Sequence, residues 1–156
     1  MITKYFTKVF AVLMAALMLA ACEGNKKDPR EAFVGDYTFT SKGNIDLYAG
    51  TLKLFTIPMD NTGELSIVLG KEENNLWVVS DGDTIQAYAS GNQLFMDPTS
   101  EQTTFKELVL DLSFTYGKAT LVENQLSWTS DVAITATYKG RNLVGSGKVD
   151  IVATKK

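Results

Sequence analysis

The chain of 156 residues contains no histidine, one cysteine and three prolines. Without histidine there is no Ser-His-Asp or Cys-His catalytic arrangement and no imidazole-ligated zinc, because these sites need a group that titrates near neutrality or a neutral nitrogen donor. The sequence also lacks a glycine-rich phosphate loop, a nucleophile elbow and a cluster of metal ligands. We therefore expect a protein that is not an enzyme and that carries no cofactor and no metal.

The single cysteine, Cys22, follows an export signal. Lys4 and Lys8 precede an apolar run of 13 residues over positions 9–21. A helix needs about 20 apolar residues to span a bilayer, so the run is too short for a permanent transmembrane anchor. Residues 1–21 are therefore predicted to be a signal peptide.

The end of this signal, Leu19-Ala20-Ala21-Cys22, resembles the lipobox of bacterial lipoproteins. In that family the chain is cut before the cysteine and the thiol is acylated, so the resemblance implies lipidation of Cys22 and a membrane partner. Glu23 in the next position implies an outer-membrane address by the enterobacterial sorting rule, with the periplasmic or surface face left open. The alternative is that Cys22 merely ends an ordinary secretory signal.

Residues 22–32 are predicted to be the lipidated cysteine and a flexible polar tether, because they include EGNKKDPR and have no apolar period. The folded domain is then residues 33–156. Removal of Lys4 and Lys8 from the 15 basic residues leaves 13 against 18 acidic ones. This acidic balance, without a basic stripe, indicates that nucleic acid is not a partner.

Beyond residue 33, apolar and polar residues alternate with the period of two that is typical of half-buried β-strands. The alternation is clear over residues 36–41, 64–70 and 132–139. Gly145 and Gly147 lie on one face of the last candidate strand, residues 142–153, which suggests a bend or a close backbone approach. Short segments rich in glycine, asparagine and aspartate separate twelve candidate strands and predict antiparallel hairpins. Some candidates are expected to merge, which leaves eight to ten strands.

One segment admits two interpretations. Phe105, Leu108, Val109 and Leu112 have helical spacing, and Thr104 could begin a capping box. Alternation over residues 105–117 is longer and is rich in β-branched and aromatic residues, which favours a strand.

An antiparallel sheet of this size must hide both its apolar face and its edges, and closure into a barrel does both. Short connections without long crossovers favour a single up-and-down (meander) β-barrel of 8–10 strands. A β-sandwich is the alternative.

The start of the domain, residues 33–39 (FVGDYTF), resembles the Gly-x-Trp opening of lipocalins and other calycins, with Tyr37 in place of the tryptophan. Together with the lipobox and the all-β meander, the chain is similar to lipocalin-like lipoproteins of Bacteroidetes. The resemblance implies that Tyr37 closes one barrel end beneath a cup for a small hydrophobic or amphipathic ligand.

Aromatic residues that could line such a cup are the candidate ligand-binding residues. They are Phe39, Trp77, Tyr88, Phe114, Tyr116, Trp128 and Tyr138. The same side chains could equally fill the barrel as ordinary core. In that alternative the chain is a structural or protein-interacting lipoprotein, which contacts an envelope partner through an outer patch or through a loop at residues 97–104.

Overall fold

A computed structural model describes residues 27–156, and the predicted signal peptide and Cys22 lie outside these described residues. No helix within residues 27–156 has the length and apolar character needed to cross a membrane. A short 3-10 helix (Pro29–Ala32) precedes twelve strands. The strands are β1 (Gly35–Lys42), β2 (Asn44–Ala49), β3 (Leu52–Pro58), β4 (Asn61–Leu69), β5 (Asn75–Ser80), β6 (Asp83–Ser90), β7 (Gln93–Met96), β8 (Thr99–Phe105), β9 (Leu108–Tyr116), β10 (Ala119–Val122), β11 (Gln125–Tyr138) and β12 (Arg141–Lys155).

Eight of these strands form a closed antiparallel barrel. Their order is β1-β4-β5-β6-β7-β10-β11-β12, and β12 pairs with β1 to close the ring. This order follows the chain, except that the hairpins β2–β3 and β8–β9 are inserted outside the ring. The predicted all-β, up-and-down barrel is therefore confirmed, and the sandwich alternative is wrong.

The barrel is tightly filled at the end where β1 begins. Phe33 and Tyr37 are fully buried there, and the Tyr37 hydroxyl donates a hydrogen bond of 2.7 Å to the Phe33 carbonyl oxygen. Arg30 in the 3-10 helix donates to the carbonyl oxygens of Glu72 and Asn75, at 2.7 and 3.1 Å. These bonds fix the incoming chain at the closed end of the barrel.

A second hydrophobic core lies beyond the other end of the barrel. β11 and β12 have 14 and 15 residues and remain paired past the barrel mouth to the turn that joins them. There β9 pairs with β11, and the β2–β3 hairpin packs against β12. The buried residues of this second core are Ile45, Leu47, Ile57, Leu108, Leu110, Leu112, Val132, Ile134, Ala136, Leu143, Val149 and Ile151.

Glycines in β12 allow β2 to lie close to it, as the sequence predicted. A Cβ atom at Gly145 would lie 2.5 Å from the Asp46 carbonyl oxygen, and one at Gly147 would lie 3.2 Å from the Ile45 side chain. Real Cβ atoms are not found at the first of these distances, so Gly145 is required for this packing.

The structure differs from the predicted strands in two places. Thr99–Phe105 is strand β8 rather than a loop, and a turn at Lys106 (φ 55°) separates it from β9. β8 is an edge strand with polar, mostly exposed residues, so it has no alternation that could predict it. The two candidates at residues 125–129 and 132–139 merge into the single strand β11, as was expected of some candidates, but the total of twelve strands exceeds the predicted eight to ten because four strands lie outside the barrel. The helical interpretation of residues 104–112 is wrong, because β9 is a strand.

The closed end yields a prediction for Tyr37→Phe. Because the variant leaves the buried Phe33 carbonyl without its donor, we expect the free energy of unfolding at pH 8 to fall by about 1–2 kcal/mol. Burial raises the pKa of Tyr37 above its usual 10.0. Unfolding therefore releases a proton above about pH 10, and stability falls with rising pH in that range. Urea unfolding of both proteins should be measured at pH 8 and above pH 10. Between these pH values the free energy of unfolding should fall less in Tyr37→Phe than in the unsubstituted chain. An equal fall in both would contradict this account.

The glycine contact yields a second prediction. Gly145→Ala should lower the free energy of unfolding by about 1–3 kcal/mol, because its methyl group must displace the β2 backbone. Ser146→Ala, on the exposed face of the same strand, is the control and should change it by less than about 0.5 kcal/mol. Thermal or urea unfolding measures the stability of both variants. Equal changes in the two would show that β2 can move away from residue 145 at little cost in stability.

Candidate functional site

A cavity of about 750 Å³ occupies the open end of the barrel, between the barrel core and the second core. Small-molecule sites in proteins commonly enclose about 300–1,000 Å³. The barrel is thus packed at its closed end and hollow at its mouth. Neither of the sequence-based alternatives, a filled barrel or a cup, describes the whole interior.

The walls of the cavity are mainly apolar. Apolar lining residues come from most of the barrel strands and from β9, and they include Phe39, Leu65, Val78, Ile85, Met96, Phe114, Val149 and Ile151. The Phe39 ring lies over Gly63 of the neighbouring strand, where a Cβ atom would come within 2.7 Å of it. The glycine therefore provides the room that this aromatic wall residue occupies.

Two polar groups in the cavity wall are buried and lack a hydrogen-bond partner within residues 27–156. They are Trp128 Nε1 and Ser130 Oγ, at successive inward positions of β11. Ser130 is only 1% exposed, and it separates Leu126 of the barrel core from Val132 of the second core. An indole N–H can only donate, whereas a hydroxyl can donate and accept. A bound molecule could satisfy both groups, which otherwise weaken the fold.

The hydroxyl of Tyr116 also lies in the cavity wall. It forms a hydrogen bond of 2.7 Å with Thr99 Oγ1, which links the end of β9 to the start of β8. Burial raises the pKa of Tyr116 above its usual 10.0, the hydrogen bond with Thr99 lowers it, and the negative charges of Glu101 and Asp83 raise it further. Tyr116 is therefore a neutral hydroxyl at physiological pH.

Carboxylates surround the entrance of the cavity. The lining includes Asp60 before β4, Asp81 and Asp83 at the β5–β6 turn, and Glu101 in β8, and it includes no lysine or arginine. None of these four forms a salt bridge with another residue of the described part of the chain. Residues 27–156 also contain no group of three or more acidic or cysteine residues arranged to hold a metal ion.

Four of the seven candidate aromatic residues line the cavity: Phe39, Phe114, Tyr116 and Trp128. Tyr138 lies farther along β11, against the second core, where its ring meets that of Phe55 edge-on at 5.3 Å. The structure thus brings together the aromatic residues from β1, β9 and the barrel part of β11.

The remaining two, Trp77 and Tyr88, lie on the outer face of the barrel. Leu76 and Val78 on either side of Trp77 are buried, and so are Ala87 and Ala89 on either side of Tyr88, so alternation directs both aromatic side chains outward. Tyr88 is 49% exposed and stacks on Phe95, with 4.8 Å between ring centroids.

Three residues of the cavity are not predicted as site residues from the sequence: Ser130, Asp83 and Glu101. Ser130 has a signal in the sequence, since it is the only polar residue among the inward positions from Leu126 to Ala136. Asp83 belongs to one of the aspartate- and glycine-rich segments that predict hairpin turns, and Glu101 falls in the loop predicted at residues 97–104, so the sequence assigns neither to an inward face.

A scan against protein-family models finds no match to this chain, and a search of curated proteins finds none either.

The unpaired hydroxyl in the wall yields a prediction for stability. Ser130→Ala removes a buried group without a protein partner, so the free energy of unfolding should stay the same or rise by up to about 1 kcal/mol. Ser41→Ala is the matched comparison, because Ser41 also lines the cavity but donates a hydrogen bond of 2.7 Å to the Met59 carbonyl oxygen. It should lower stability by about 1 kcal/mol. Urea unfolding distinguishes the two, and a clear loss for Ser130→Ala would mean that its hydroxyl is bonded within the protein.

Proposed function

We propose that this chain is a lipocalin-like lipoprotein of the bacterial outer membrane that binds a small hydrophobic or amphipathic molecule without transforming it. The observation that carries the proposal is the cavity of about 750 Å³ with its mainly apolar walls. An apolar molecule would gain roughly 25 cal/mol for each Å² of surface that it buries there. Trp128 Nε1 and Ser130 Oγ would orient a polar group on the same molecule.

The architecture supports the lipocalin-like part of the proposal. An up-and-down barrel of eight strands can hold one small ligand at its mouth. Tyr37 lies in the packed end and the cavity in the opposite end, as the resemblance to lipocalins implies. Tyr37 would therefore serve the fold and not contact the ligand.

The segment before β1 attaches to the barrel at a position that suits a receptor anchored through Cys22. The 3-10 helix, which forms the last four residues of the predicted tether, is bonded to the loop between β4 and β5, at the packed end. If Cys22 carries lipid, the tether reaches the barrel from that end, and the mouth opens away from the membrane. The ligand would then enter from the aqueous side of the envelope.

A second candidate function is binding of an envelope protein. The observation in its favour is the exposed stack of Tyr88 on Phe95, with the exposed Val68 and the outward-facing Trp77 on nearby strands of the same outer face. Aromatic residues are common at the centres of protein interfaces. This surface is separate from the cavity, so the two functions are compatible.

The two tryptophans allow ligand binding to be measured directly. Trp77→Phe leaves Trp128, in the cavity wall, as the one tryptophan of the chain. Titration with the neutral apolar dye N-phenyl-1-naphthylamine should quench the Trp128 emission saturably by energy transfer, with one dye per chain. The protein used is the chain from Cys22 to Lys156, produced without its signal so that it carries no lipid. It includes every strand of the closed barrel.

Trp128→Phe is the matched control, because it retains Trp77 on the outer face. Quenching of Trp77 should need higher dye concentrations in this variant, because the altered cavity wall should bind the dye more weakly. Linear, non-saturable quenching of both variants would contradict the proposal, because it would indicate adsorption to the surface.

A further inference from the structure

The charges at the entrance of the cavity are all of one sign. Asp60, Asp81, Asp83 and Glu101 line it, with no basic residue among the lining side chains. The basic residues that form salt bridges in the described chain pair with other acids, namely Asp28, Asp46, Asp131 and Glu64. No salt bridge within residues 27–156 therefore neutralises these four carboxylates.

Two of these carboxylates occupy inward-facing positions of their strands. Asp83 shares the face of β6 that includes Ile85 and the buried Ala87. Glu101 lies directly opposite the buried Leu112 in the β8–β9 ladder, and directly opposed residues in antiparallel strands project to the same face. Both charges act on the Tyr116 hydroxyl in the cavity wall. Both side chains are exposed and line the cavity, so they lie at its rim.

A second, independent observation that indicates a ligand comes from the cavity wall formed by β9 and β11. Ser130 is 1% exposed and is one of the cavity-lining residues, and its buried hydroxyl has no hydrogen-bond partner in residues 27–156. The rings of Phe114 and Tyr116 lie nearly parallel in the same wall, with centroids 6.2 Å apart. Aromatic faces and carboxylates together are the groups that bind amines and quaternary ammonium ions in proteins.

We propose that the molecule held in this cavity is a cationic amphiphile, with its apolar part among the cavity walls and an amine or quaternary ammonium group at the carboxylates of Asp83 and Glu101. This inference rests on the proposed ligand-binding function and specifies its ligand class. Fatty acids and other anionic amphiphiles are disfavoured, because their head groups would meet uncompensated negative charge. A bare metal ion does not fit, because the described residues contain no group of three metal ligands.

Three dodecyl compounds that differ in head group test the inference. They are dodecyltrimethylammonium, the neutral triethylene glycol dodecyl ether and dodecyl sulfate, each titrated below its critical micelle concentration. Trp128 emission in the Trp77→Phe chain reports binding. At low salt we expect the cation to bind about tenfold more tightly than the neutral ether, and the sulfate more weakly than the ether. The advantage of the cation should shrink in 1 M salt.

Removal of the two inward charges provides the matched comparison. In the same background, Asp83→Asn with Glu101→Gln should weaken binding of the cation about tenfold and leave that of the ether unchanged. Glu72→Gln with Glu73→Gln removes the same charge from exposed positions in the β4–β5 loop at the packed end, and should change neither affinity. Near-ultraviolet circular dichroism checks that both double variants fold.

The outcomes separate the charge inference from the proposed function. Equal affinity for the cation and the ether, or equal weakening of both by the Asp83 and Glu101 changes, would overturn the cationic ligand while a hydrophobic cup remains. Absence of saturable binding by all three compounds and by the neutral dye would overturn the proposed function itself. A tenfold loss in the Glu72 and Glu73 variant would mean that total charge, rather than the cavity, attracts the cation.

Discussion

The structure depends on the uninterrupted pairing of β11 with β12. Fourteen residue pairs join these strands, from Gln125 opposite Thr154 to Tyr138 opposite Arg141. One half of this ladder closes the barrel, and the other half forms the floor of the second core. Since successive side chains alternate between the two faces of a strand, a slip of one residue would turn the apolar positions of both cores outward at once. The register of this hairpin therefore fixes both cores together.

The cavity follows from this arrangement. The ladder supplies Trp128 and Ser130 between the two cores, and the hairpins β2–β3 and β8–β9 pack mainly on the second core. Side chains therefore line the mouth of the barrel but do not fill it. Native cores pair nearly all of their buried polar groups, so an unpartnered hydroxyl at 1% exposure is costly at a position where alanine or valine would suit the surrounding core. Binding sites often retain such locally unfavourable residues at the expense of stability.

Much of the fold could be predicted from the sequence because its signals are local. The alternation in β1, β4, β9 and β12 and the glycine-rich turns predict the strands and their antiparallel order, and the short connections predict a meander. The close approach at Gly145 was visible from two small residues on one face. β8 could not be predicted, because most of its residues are polar and exposed, so apolar and polar residues do not alternate along it.

The site was harder to predict because it depends on register and on distant pairings. Trp77 and Tyr88 are aromatic residues like Trp128, so residue type does not distinguish them. Each occupies an outward position in the alternation of its strand and therefore lies on the outer face. Asp83 and Glu101 lie 18 positions apart in the sequence. They share a cavity only because the barrel places the β5–β6 turn and the β8–β9 hairpin around one opening. No short-range pattern contains that information.

The central claim is that the two cores leave an open, ligand-sized space around Trp128 and Ser130. A crystal structure of the chain from Cys22 to Lys156 tests it most directly. Our account predicts a space of about 750 Å³ at the barrel mouth, lined by Trp128 and Ser130, whose Nε1 and Oγ atoms have no hydrogen-bond partner in the protein. A mouth filled by protein side chains, with both groups bonded to protein atoms, would contradict it.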